Sequence, residues 1–66
     1  MTYSVNAMVN GKVIAKEKQF SNEKDAKKYI YNLIETYSCE VDEEYYGIRG
    51  LEIYCDNYTR FSIQAN

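Results

Sequence analysis

Sixty-six residues make one small domain, and with 45% hydrophobic and 15% aromatic residues the chain carries too much apolar material to stay disordered. The net charge of −2 and pI near 5.0 oppose general accumulation on polyanions. Histidine is absent and the only cysteines are Cys39 and Cys55, which leaves no zinc ligand set, and no stretch approaches the ~18 consecutive apolar residues of a membrane span.

Residues 2–9, TYSVNAMV, place Tyr3, Val5, Ala7 and Val9 on one side, the period-two pattern of a half-buried strand. Asn10-Gly11 follows, and both residue types tolerate the positive φ that a tight hairpin turn demands. KVIAKEKQF then returns as the second strand. Its lysines leave the register open: a two-residue loop pairs Ala7 with Ile14, and a three-residue loop pairs Val9 with Val13.

Ser21 or Asn22 supplies an N-cap, with Glu23 and Asp25 favourably placed in the first turn of a helix. Ala26, Tyr29, Ile30, Leu33, Ile34 and Tyr37 recur in steps of three and four and form its core stripe. Lys24, Lys27, Lys28, Tyr31 and Glu35 lie on the opposite side, and Glu23 precedes Lys27 in the favourable i,i+4 order. The next stretch, SCEVDEEYYG, holds four carboxylates and two tyrosines without a base, and reads as the connection to a second hairpin. In GLEIYCDNYTRFSIQA a turn at Asp56-Asn57-Tyr58 sets Leu51 opposite Ile63 and Ile53 opposite Phe61, with Cys55 continuing that apolar face and Glu52, Tyr54, Arg60, Ser62 and Gln64 on the other. The expected fold is α+β, a single compact domain over residues 1–66 in the order ββαββ, one helix on one face of a four-stranded antiparallel sheet.

Catalysis is not expected. No base stands ready to activate either cysteine, and Gly11, Gly47 and Gly50 are scattered rather than gathered into a phosphate-binding loop. Asp42, Glu43 and Glu44 lack the alternation and glycine of a calcium loop, so neither a metal nor a cofactor is expected.

Charge is distributed unevenly, with net +3 over residues 1–28 and −5 over residues 29–66. Carboxylates after a helix C-terminus oppose the macrodipole, so helix stability does not account for them. Acid beside tyrosine suits docking on a basic protein groove, where charge steers association and aromatic rings anchor. Glu40, Asp42, Glu43, Glu44, Tyr45 and Tyr46, extended by Tyr54 and Arg60, therefore form the candidate partner-binding surface.

The leading expectation is a small non-catalytic protein-binding module. Size and a composition rich in Lys, Asn, Ile and Tyr suit an inhibitor of anti-defence type from a phage or mobile element, blocking a basic groove of a larger host protein such as a nucleic-acid-handling enzyme. The alternative is a nucleic-acid-binding or regulatory domain, in which Lys24, Lys27 and Lys28 meet phosphates and Tyr31 stacks on a base. The third is a structural homodimer, and under each of these readings self-association as a homodimer is expected, since so short a sheet leaves open edges and an open face carrying Tyr54 that a second copy could cover. The N-terminus has no leader pattern, so a cytoplasmic location is expected, the host cytoplasm if phage-encoded, with reduced cysteines.

Overall fold

A computed structural model describes residues 2–48, 50–56 and 58–66. The elements are β1 (Tyr3–Val9), β2 (Lys12–Phe20), α1 (Glu23–Thr36), β3 (Glu43–Tyr46), β4 (Gly50–Asp56) and β5 (Thr59–Ala65). They build an α+β domain whose antiparallel sheet runs β2-β1-β5-β4-β3. The sheet thus has five strands, not four. The additional strand, β3, lies inside the acidic stretch expected to be a connection, and all four of its residues are exposed. Period-two alternation signals a strand only when one face is buried, so an edge strand wet on both faces carries no such signal.

The first hairpin turns through Asn10 and Gly11, both at positive φ, and Val9 pairs with Lys12 as a two-residue loop requires. The register then shifts twice, so that Ala7 meets Ala15 and Val5 meets Lys18. Neither register read from the sequence therefore holds along the whole hairpin. At the second shift Glu17 adopts a φ of 48° and its N–H donates to the Asn6 side chain at 2.9 Å, closing the bulge.

Asn22, rather than Ser21, caps α1: its side chain accepts from the Asp25 N–H at 2.8 Å. At the other end the Cys39 N–H reaches the Ile34 carbonyl and the Ser38 N–H reaches the Glu35 carbonyl, with Ser38 in the left-handed region at φ 52°. This is a Schellman close made with serine in place of glycine, and it tucks Cys39 beside the core. Of the helix stripe, Ala26 and Ile30 are fully buried, Tyr29, Leu33 and Ile34 are half-buried, and Tyr37 is exposed.

Ile30 and Ala26 pack against Val5, Ala7, Val9, Leu51, Ile53, Phe61 and Ile63 to form one core between helix and sheet. Leu51 pairs with Ile63 and Ile53 with Phe61, the register expected for the second hairpin; the central residue of its turn, Asn57, lies outside the described residues. The two hairpin turns are tied together, since Gly11 N–H donates to the Tyr58 carbonyl and Asn10 N–H to the buried Thr59 hydroxyl. No helix among the described residues is long and apolar enough to cross a membrane.

Candidate functional site

β3 is positioned by β4. Gly47 and Gly50 exchange backbone hydrogen bonds at 2.8 and 3.3 Å, and Asp42 N–H donates to the Tyr54 carbonyl at 2.9 Å, so the short strand is held at both ends. Gly50 is required here: its φ is 147°, and a Cβ added to it would lie 1.9 Å from the Ile63 carbonyl oxygen. The pairs that result are Glu43 with Tyr54, Glu44 with Ile53, Tyr45 with Glu52 and Tyr46 with Leu51.

Because strand side chains alternate, β3 deals its residues onto both faces of the sheet. Glu43 and Tyr45 join Tyr54 and Arg60 on the face turned away from α1. There the Tyr45 and Tyr54 rings meet edge-on with centroids 5.9 Å apart, Tyr54 pairs across with Arg60, and the Tyr45 hydroxyl donates to the Glu43 carboxylate. That bond, with the charge of the Glu43 carboxylate, raises the Tyr45 pKa above the ordinary value. The same face forms a shallow concavity of about 450 Å³, bordered by Met8, Val13, Lys16, Glu52, Tyr54 and Arg60.

Glu44 and Tyr46 turn to the helix side instead. Tyr31 donates to Glu44 at 2.8 Å, and this bond, with partial burial, pushes the Tyr31 pKa up to about 12. Lys27 sits 5.4 Å from the centre of the Tyr46 ring and pairs with Glu23 at 2.9 Å, which raises its own pKa. Two of the four residues of the alternative nucleic-acid surface, Lys27 and Tyr31, are thereby engaged with acidic or aromatic groups of the protein itself, while Lys24 and Lys28 are exposed.

Glu40 and Asp42 occupy the segment that leads into β3, beside a groove of about 540 Å³ that Cys39, Cys55 and Thr59 also line. The two cysteines are free thiols and half-buried. Loss of hydration on burial, then the proximity of Cys39, push the Cys55 thiol up to about 11, away from the range of a reactive nucleophile. No group of three or more metal-ligating side chains converges among the described residues.

The eight residues of the expected surface thus separate into three places: Glu43, Tyr45, Tyr54 and Arg60 on the open face, Glu44 and Tyr46 at the helix side, and Glu40 and Asp42 at the entry to β3. Glu52 was not among them and belongs with the open-face group, as the cross-strand partner of Tyr45. The alternation Glu52, Tyr54 in the sequence carries that signal, but it becomes interpretable only once β3 is known to pair beside it.

Strand order also turns the charge imbalance of the sequence into a spatial gradient. Lys12, Lys16 and Lys18 line one sheet edge, and Glu43 and Glu44, with Glu40 and Asp42 just ahead of them, line the opposite one. Comparison with family models, curated proteins and solved structures finds no match for this chain.

Proposed function

We propose that this protein is a small non-catalytic binding module whose acidic, tyrosine-bearing sheet end docks on a basic surface of a larger protein and occludes it. The observation that carries the reading is the open-face group: Tyr45 and Tyr54 in edge contact, flanked by Glu43, Glu52 and Arg60, on a face the helix does not cover. Tyrosine and arginine are the residue types that most often supply binding energy at interfaces, and surrounding carboxylates accelerate encounter with a basic partner. Tyr45 and Tyr46 are 50% and 68% exposed and Ile48 at the hairpin tip is fully exposed, so aromatic and apolar side chains are presented to solvent at the acidic end. A groove that holds nucleic acid has the basic character such an end complements.

The test is capture of a partner from the source cells followed by surface plasmon resonance on variants. Glu43→Lys with Glu52→Lys should slow association about tenfold or more at low salt and flatten its salt dependence, whereas Tyr45→Ala or Tyr54→Ala should chiefly speed dissociation. Unchanged rates for all three, with intact folds, refute the assignment of this surface.

A further inference from the structure

The geometry points to a binding mode as well. We propose, on the strength of the protein-binding reading above, that the free edge of β3 accepts an extended lysine- or arginine-bearing segment of the partner as an additional strand. Gly47 and Gly50 form a hydrogen-bonded pair, so the alternation of an antiparallel ladder makes Tyr45 with Glu52 the next bonded pair. The N–H and C=O of Glu44 and Tyr46 consequently turn outward, toward the side where the sheet order ends. An incoming strand finds those four backbone groups, with Glu43 and Tyr45 beside it on one face and Glu44 and Tyr46 on the other.

Charge selects the occupant. Carboxylates at an edge blunt pairing with another acidic strand, including β3 of a second copy, and the same carboxylates attract a basic one. The chain does own a basic strand, β2, with Lys12, Lys16 and Lys18, and it too lies at an edge. β2 is nevertheless unsuited to flat pairing, because its two register shifts and the positive φ of Glu17 bend it. A foreign segment is therefore favoured over self-assembly, and specificity comes from main-chain hydrogen bonds together with alternate basic side chains.

The probe is a synthetic capped octapeptide alternating lysine with threonine and valine, titrated by isothermal calorimetry into the full chain and into the chain synthesised with an N-methyl group on Tyr46. An outward amide accepts the methyl group without loss of any bond to β4, so the melt should be unchanged; N-methylation of Glu44 is the second variant if it is not. The expected result is peptide binding that weakens at least tenfold on N-methylation, with every side chain intact. Equal affinity of the methylated and unmethylated chains, or no peptide binding to the unmodified chain, overturns strand addition. Retention of the captured partner by the methylated chain, with loss by Tyr54→Ala, likewise overturns strand addition while leaving the open-face reading in place. Sedimentation of the peptide-free chain should give a mass near 7.8 kDa; a dimer that Lys16→Glu and Lys18→Glu dissolve would assign the edge to a second copy and overturn the proposal.

Discussion

Replacing Gly50 with alanine should release the acidic strand and weaken the whole domain, by an amount that can be worked from the local geometry. At φ 147° an L side chain is strained, which costs about 1–3 kcal/mol. The new Cβ would also stand 1.9 Å from the Ile63 carbonyl oxygen and 2.9 Å from its carbon. Those atoms are backbone of β5, a strand paired on both sides, and the Ile63 side chain is buried, so relief requires β4 and β5 to part, with a penalty of about 1–3 kcal/mol more. The sum, about 2–6 kcal/mol, compares with a total stability of ~3–10 kcal/mol for a domain of this length. Two other glycines serve as controls. Gly11→Ala has open space around it and meets only the strain of φ 80°, about 1 kcal/mol, and Gly47→Ala meets nothing closer than 3.8 Å and should lie within about 0.5 kcal/mol of the parent. Urea unfolding followed by circular dichroism and tyrosine fluorescence gives all three values. If Gly50→Ala were no less stable than Gly47→Ala, the placement of β4 against β5, and with it the position of β3, would be wrong.

Ile30→Ala removes a fully buried side chain and should cost about 2–5 kcal/mol, whereas the half-buried Leu33→Ala should fall at or below the bottom of that range; a pair of urea curves with the order reversed would misplace the helix stripe. Ser38→Gly relieves a left-handed serine at the helix close and should raise stability by about 0.5–1 kcal/mol, read as a higher urea midpoint at unchanged slope. Tyr31 should ionise near pH 12, seen as the difference in tyrosinate absorbance between the parent and Tyr31→Phe; because the folded pKa is raised, the bond to Glu44 contributes fully below the unfolded value of ~10 and is lost as pH climbs through about 12, and Glu44→Gln should bring the midpoint down. An ordinary Tyr31 midpoint near 10 would contradict that bond.

Where one face of an element is buried, the sequence discloses it. The alternation through Val5, Ala7 and Val9, the stripe through Ala26 and Ile30, and the facing pairs Leu51–Ile63 and Ile53–Phe61 all reflect removal of apolar surface from water, and each recurs in the fold. What the sequence hides has no apolar signature. The second bulge of β2 is closed by the Asn6 side chain meeting the Glu17 amide, a contact between strands that no local pattern encodes. β3 is hidden for a similar reason, since Glu43–Tyr46 is wet on both faces and owes its strand form to pairing with β4. The candidate surface inherits this limit: its residue types were legible as acid and tyrosine, but the division of Glu43 and Tyr45 from Glu44 and Tyr46 follows only from strand alternation.

The open face of β3, β4 and β5 is proposed to be the surface that meets a basic protein partner. Amide and aromatic NMR spectra of the labelled chain, recorded as the captured partner is added, examine this most directly. The largest changes are expected at Glu43, Tyr45, Glu52, Tyr54 and Arg60, with Lys24 and Lys28 on the exposed side of α1 unmoved. Changes concentrated at Lys24 and Lys28, with Tyr45 and Tyr54 silent, would contradict it.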